Sequence, residues 1–174
     1  SGATLDLATT AAQPTDTVAC TATATDSAGA IDSASNTLSI DNRAPAFSGL
    51  VVHNNQPITT FDLVSCSAVL IDPDGEPLTP TYQWLLNGTV LAQGDSVQLT
   101  NTTTNPTDTL TCQADAIDSY GSTSSISVSA TIINTNPTID SVSLNLTNPS
   151  ITDVLICTAS TSDLDGENPT LLFE

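Results

Sequence analysis

The chain has almost no basic residues, few aromatic residues and no methionine. Its 174 residues include one Lys or Arg (Arg43) against 19 Asp and Glu, for a net charge of −18. A surface of that sign repels nucleic-acid phosphates and anionic lipid headgroups, so we expect neither as a partner. Aromatic residues make up only 3% of the chain, so a core must be built from Val, Ile, Leu and Ala.

Long apolar runs and helical periodicity are also missing. No apolar run approaches the ~18 residues that cross a bilayer, so we expect no membrane insertion in this segment. Short alternating runs between Gly, Pro, Asn and Asp residues predict an all-β fold. The single histidine, His53, and Ser and Thr side chains without an adjacent base provide no catalytic group, so we expect no enzyme activity.

The sequence repeats itself with a period near 92 residues. Residues 13–20 match residues 105–112, and residues 26–29 match 118–121, at an offset of 92. Cys66 matches Cys157, and the loop 72–76 matches 163–167, at an offset of 91. A fixed period of this length predicts a tandem array of small domains. The predicted units are the back half of one repeat at 1–43, a complete repeat at 44–135 and the front half of the next at 136–174.

Strand signals follow one another through the complete repeat. Alternation predicts that Val64, Cys66, Ala68 and Leu70 share one face of a strand. Asn87 and Gly88 predict a two-residue hairpin turn. The predicted strands are 47–53, 61–71, 81–86, 89–92, 96–100, 108–117 and 124–133. Three further strands are expected within 1–43.

Three residues of the complete repeat are typical of a known family. Trp84 follows Cys66 by 18 residues, and Cys112 follows Trp84 by 28. This pattern resembles the immunoglobulin-like β-sandwich, in which two cysteines bridge the sheets and the indole packs on the bridge. The resemblance implies tandem Greek-key sandwiches with a Cys66–Cys112 disulfide and a buried Trp84. Leu110 replaces the tyrosine that the family often has two residues before the second cysteine, so the likeness is not to an antibody-type domain.

The resemblance extends to the tandem repeats of large prokaryotic secreted and cell-surface proteins. It implies that Cys20 and Cys157 have partners in an adjacent repeat or copy. Buried disulfides imply an oxidising compartment, so we expect a secreted or surface location. The expected function is a structural segment of a stalk, fibre or filament, with neighbouring repeats and head-to-tail copies of itself as partners. The alternative is an adhesin that recognises a glycan or a protein through loops at one end of the sandwich.

The repeated acidic loops are the only candidate metal sites. Their carboxylates alternate around a glycine, and Ca²⁺ takes oxygen ligands from such loops. Asp41 and Asp118 are possible additional ligands. The alternative is a pair of solvated turns in which Asp and Gly serve turn geometry, with no cofactor at all. The candidate Ca²⁺ ligands are Asp72, Asp74, Glu76, Asp163, Asp165 and Glu167.

Overall fold

A computed structural model describes residues 2–53 and 57–174, without the side chain of His53. The described chain is all-β: it holds eleven strands and one 3-10 turn at Leu7–Thr9, and no α-helix. The strands are β1 (Thr17–Thr25), β2 (Ile31–Ser39), β3 (Ala46–His53), β4 (Leu63–Ile71), β5 (Thr81–Leu86), β6 (Thr89–Gln93), β7 (Ser96–Gln98), β8 (Thr109–Ile117), β9 (Thr123–Thr131), β10 (Thr138–Leu144) and β11 (Cys157–Ser162).

The described strands form four sheets. Two are two-stranded, β1–β2 and β10–β11, and both are antiparallel. The others have the orders β3-β4-β7 and β6-β5-β8-β9. The seven strands predicted for 44–135 are confirmed, with ends that differ by one or two residues. The Asn87-Gly88 turn joins β5 to β6, and both residues have positive φ, 50° and 82°, as that turn requires.

Side chains from the two larger sheets form one buried cluster. Cys66 on β4 is bonded to Cys112 on β8, with 6.7 Å between their Cα atoms, so the predicted disulfide is confirmed. Trp84 is fully buried and lies opposite Cys112 in the β5–β8 ladder. A core shared by two sheets and bridged by a disulfide is consistent with a β-sandwich. The buried members are Ile58, Val64, Cys66, Trp84, Val97, Leu99, Leu110, Cys112 and Ile132.

The sequence period reappears in the backbone. Strands β1 and β8 have the same length and begin 92 residues apart, as do β2 and β9. Thr15 and Thr107 have φ values of 73° and 76°, although non-glycine residues rarely adopt positive φ. Each donates its N–H at 2.8 Å, to the carbonyls of Ile40 and Ile132 respectively. The two segments therefore share the same unusual turn as well as the same strands.

The prediction of three strands in 1–43 is wrong, since the described residues 2–43 form two. Residues 4–6 are the counterpart of β7 but are not a strand. In the complete repeat, β7 pairs with the first three residues of β4, from Leu63 opposite Gln98 to Ser65 opposite Ser96. Residues 1–43 contain no counterpart of β4, so residues 4–6 have no strand to pair with. For the same reason β11 begins only at Cys157, because its preceding residues 154–156 correspond to that paired part of β4.

The chain divides into two compact units. The first contains residues 1–48, 70–80 and 116–124, and thus the hairpin β1–β2 and the loop 72–76. The second contains residues 49–69, 81–115 and 125–174, and thus the disulfide-bridged core, the hairpin β10–β11 and the loop 163–167.

Candidate functional site

The two acidic loops have the same local structure. Asp72 accepts the N–H of Asp74 at 2.7 Å through Oδ1, and Asp163 accepts the N–H of Asp165 in the same way at 2.8 Å. Each loop then turns at a glycine with positive φ, 89° at Gly75 and 82° at the equivalent position. Aspartate and glycine thus serve the turn geometry that the second interpretation of these loops predicted.

In the first unit, Asp74 binds the segment that precedes the complete repeat. Its carboxylate accepts the backbone N–H of Arg43 at 2.7 Å and the Nε–H of the same residue at 2.8 Å. The Arg43 Nη2 lies 2.7 Å from Asp74 Oδ1 and also donates to the carbonyl of Pro73. The backbone N–H of Arg43, followed by its guanidinium, lowers the pKa of Asp74 below its ordinary value.

Asp118 holds the neighbouring residue Asn42. Asp118 is 5% exposed, and its Oδ2 accepts the side-chain amide of Asn42 at 2.8 Å. Its Oδ1 accepts the N–H groups of Tyr120 and Ser122 at 3.0 and 2.7 Å. The Asn42 hydrogen bond is the main cause that lowers the pKa of Asp118. Within this unit, Asp118 and Asp74 therefore bind Asn42 and Arg43, two consecutive residues of the linker that precedes the complete repeat.

In the second unit, Asp165 repeats the role of Asp74. It is 4% exposed and accepts the backbone N–H of Thr135 at 2.5 Å. The hydroxyls of Thr135 and Thr60 also donate to it, at 2.8 and 2.7 Å. Burial on its own raises the pKa of Asp165, but these donors outweigh burial and the pKa falls below its ordinary value.

A single backbone contact is common to both linkers. Arg43 and Thr135 lie 92 residues apart, and each stands two residues before a proline. The side-chain partners of the two aspartates differ, a guanidinium in one unit and two hydroxyls in the other. What recurs is the bond from the linker N–H to the carboxylate, which any residue except proline can donate. Sequence analysis missed Thr60 and Thr135. The signal for Thr135 was its position two residues before a proline, which it shares with Arg43, and no signal marked Thr60.

Gly166 lies close to the complete repeat within the second unit. The side-chain amide of Asn101 donates to the carbonyl of Leu164 at 3.1 Å. A Cβ added to Gly166 would lie 3.2 Å from the Asn101 Nδ2, closer than most Cβ contacts. Gly166 therefore has two reasons to be glycine, whereas Gly75, its counterpart in the first unit, meets nothing within 4 Å.

The described carboxylates do not form a calcium cage. Ca²⁺ takes six to eight oxygen ligands, yet across residues 2–53 and 57–174 no three His, Cys, Asp or Glu side chains are grouped to hold a metal. Asp72 Oδ2 and Asn42 Oδ1 are buried with no hydrogen-bond partner in the described part of the chain. Glu76 accepts the N–H of Ser119 at 3.1 Å, and Glu167 and Asp41 are exposed. Calcium binding remains a prediction that this arrangement does not support.

Cys20 and Cys157 have exposed free thiols. No helix in the described residues is long and apolar enough to span a membrane. The buried Cys66–Cys112 disulfide indicates a compartment other than the reducing cytoplasm.

No protein-family model, curated protein or solved structure matches this chain. The likeness to immunoglobulin-like repeats thus depends on the chain's own features. These features are the Cys66–Trp84–Cys112 core, the two-sheet arrangement and the 92-residue period.

Proposed function

We propose that this chain is a structural segment of an extracellular stalk, fibre or filament made of disulfide-stabilised immunoglobulin-like repeats, with 44–135 as one complete repeat. The observation that carries the proposal is the recurrence of the linker contact. Asp74 binds the N–H of Arg43, and Asp165 binds the N–H of Thr135, in equivalent positions of the repeat. A binding module does not need the same linker contact twice. An array that holds each linker between its repeats in one conformation does.

The contacts explain how such a segment would resist bending. Each linker is hydrogen-bonded to a turn, and an aspartate side chain fixes the backbone of that turn. The linker therefore loses conformational freedom. Pro45 and Pro137 fix one further backbone angle in each linker. Force applied along the chain is then carried by folded repeats and short, held linkers instead of flexible coils.

The disulfide suits a protein that works outside the cell, away from the chaperones of the cytoplasm. It closes a loop of 46 residues, which in the chain-entropy model contributes about 4 kcal/mol. That is comparable to the total stability of a small domain, about 5–15 kcal/mol. A repeat with few aromatic residues thus gains from one covalent bond much of the stability that its small core lacks.

The loops also favour the structural role over the adhesin. An adhesin of this architecture would present free loops at one end of the sandwich. Here Asp74 and Asp118, in the loops at 72–76 and 118–122, are hydrogen-bonded to Arg43 and Asn42. Aromatic residues, which supply stacking platforms for sugars, make up only 3% of the chain.

Immunogold labelling of the cells that produce this protein tests the proposal. An antibody against residues 44–135 is expected to label intact cells, with gold on extended structures outside the envelope. An antibody against an internal protein is the control and should label only permeabilised cells. Labelling of our protein that also requires permeabilisation would contradict the proposal.

A further inference from the structure

The hairpin β1–β2 and the segment before it present half of a hydrophobic core. Five apolar residues line an open cavity of about 370 Å³ on this part of the first unit. Leu5 is 62% exposed and Leu38 is 73% exposed. The five residues are Leu5, Leu7, Val18, Leu38 and Ile40. Their counterparts 92 residues later, Val97, Leu99, Leu110, Ala130 and Ile132, all belong to or pack against the buried core of the complete repeat.

The hairpin β10–β11 presents a second part of such a core, and neither hairpin contains a counterpart of Trp84. Leu155 is 49% exposed, although its counterpart Val64 is fully buried. Val142 and Leu144 on β10 are 64% and 57% exposed. Their counterparts on β3, Leu50 and Val52, pack against the core of the complete repeat. The complete repeat therefore shows which surface covers each half: the counterparts of one hairpin cover those of the other.

Backbone pairing points to the same match. Residues 4–6 and 154–156 are not strands, although their counterparts in the complete repeat are. Their counterparts pair with each other, with Val64 opposite Val97. The same register would place Leu155 opposite Leu5. Each half thus lacks the ladder partner that the other supplies.

The exposed cysteines complete the correspondence. Cys20 is the counterpart of Cys112, and Cys157 is the counterpart of Cys66. In the complete repeat these two positions are joined by a disulfide, whereas both Cys20 and Cys157 are free.

We propose that the β10–β11 hairpin of one copy of this chain covers the β1–β2 hairpin of a second copy, forming a composite repeat closed by a Cys157–Cys20 disulfide. The inference rests on the proposed repeat architecture and names a partner for it. Bond formation takes two thiols and one oxidised glutathione, and releases two reduced glutathiones. The surfaces in contact differ, so the association is head-to-tail, and it forms an open filament unless the rotation between copies closes a ring. It also gives residues 154–156 a ladder partner in residues 4–6, as β4 has in β7.

Mixing two single-cysteine variants tests this pairing on the full chain. Cys20→Ser retains only the thiol of Cys157, and Cys157→Ser retains only that of Cys20. With a glutathione redox buffer, the mixture is expected to form a covalent dimer that non-reducing electrophoresis resolves and reductant removes. Each variant alone should give at least tenfold less dimer. Equal dimer from one variant alone, or none from the mixture, would overturn the proposal.

A second pair of variants tests the apolar contact without any disulfide. In a Cys20→Ser/Cys157→Ser background, sedimentation is expected to show oligomers that increase with protein concentration and with salt, because salt screens repulsion between copies of charge −18. Leu155→Asp should shift the association midpoint at least tenfold in concentration. Val90→Asp is the control, since Val90 is 54% exposed on β6 and outside both hairpins. An equal shift in both variants would contradict the proposed contact.

The fold of each variant is checked with the fluorescence of Trp84. Trp84 is the only tryptophan and is fully buried in the complete repeat, so its emission reports that core and not the hairpins. A wild-type chain that stays monomeric would overturn the inference. So would a chain in which Cys20 and Cys157 are both oxidised while the protein is still a monomer. Either result would leave the proposed structural role intact, because surface labelling tests that role separately.

Discussion

Breaking the Cys66–Cys112 bridge is expected to lower the melting temperature of the complete repeat by about 15–30 °C. The bridge spans 46 residues, so removing it adds about 4 kcal/mol of chain entropy to the unfolded state. For a domain of this size, 1 kcal/mol corresponds to a shift of about 4–8 °C. The loss is large because it is comparable to the total stability of a small domain, about 5–15 kcal/mol.

Trp84 provides the assay. It is buried and lies opposite Cys112, so its emission should shift to longer wavelength when the repeat unfolds. The experiment uses the Cys20→Ser/Cys157→Ser background, in which Cys66–Cys112 is the only possible disulfide. Melts are compared before and after reduction, with mass spectrometry of alkylated protein to verify that both thiols are free.

The comparison with a cysteine-free variant separates two effects. Cys66→Ser/Cys112→Ser removes the bridge and also places hydroxyls in a buried site, so it should melt at or below the reduced protein. A fully reduced protein that melts within about 3 °C of the oxidised one would refute the argument that this bridge stabilises the repeat.

Four further predictions concern the loops beside the linkers. Asp165→Asn weakens the acceptor of the Thr135 N–H by about 1 kcal/mol, which should accelerate hydrogen exchange of that amide roughly fivefold. Asp95→Asn, at an exposed position, is the control and should not change that exchange rate. Because the pKa of Asp165 is depressed in the folded chain, its contribution to stability is present above pH ~4 and is lost as the pH falls through the folded pKa. Protection of the Thr135 amide should therefore decline with acid less steeply in Asp165→Asn than in the wild type. Gly166→Ala should accelerate amide exchange in its loop more than Gly75→Ala does in the other, since both have positive φ but only Gly166 meets Asn101; equal effects would exclude that contact. EDTA should leave the melting temperature unchanged, whereas a lowered melting temperature together with saturable calcium-binding heat would support the calcium prediction.

Much of the fold was predictable because its strands have period-2 patterns and clear turn residues. The run from Leu63 to Ile71 alternates, and the structure buries Val64 and Cys66 while leaving Leu63 exposed. The resemblance of the Cys66–Trp84–Cys112 pattern to immunoglobulin-like sandwiches implied the disulfide and the buried indole, and the structure has both. The strand count in 1–43 failed for a physical reason: residues 4–6 have the right pattern, but a strand needs a partner to hydrogen-bond with.

The candidate site was less predictable, because its contacts join residues far apart in sequence. Asp165 and Thr60 are separated by 105 positions, and no local sequence pattern predicts that the Thr60 hydroxyl is buried. The loop pattern of alternating carboxylates fits both a calcium site and a turn. The contacts of Asp74 and Asp165 with linker N–H groups appear only in the folded structure.

Stretching single molecules of the full chain by its ends tests the central claim most directly. If 44–135 is one force-bearing repeat, the oxidised chain should show a cooperative unfolding event in which the 46-residue disulfide loop stays closed. Reduction should lengthen that event by about 150–165 Å, from ~3.3–3.6 Å for each residue released. A chain that extends without a cooperative event, or with the same length before and after reduction, would contradict the account.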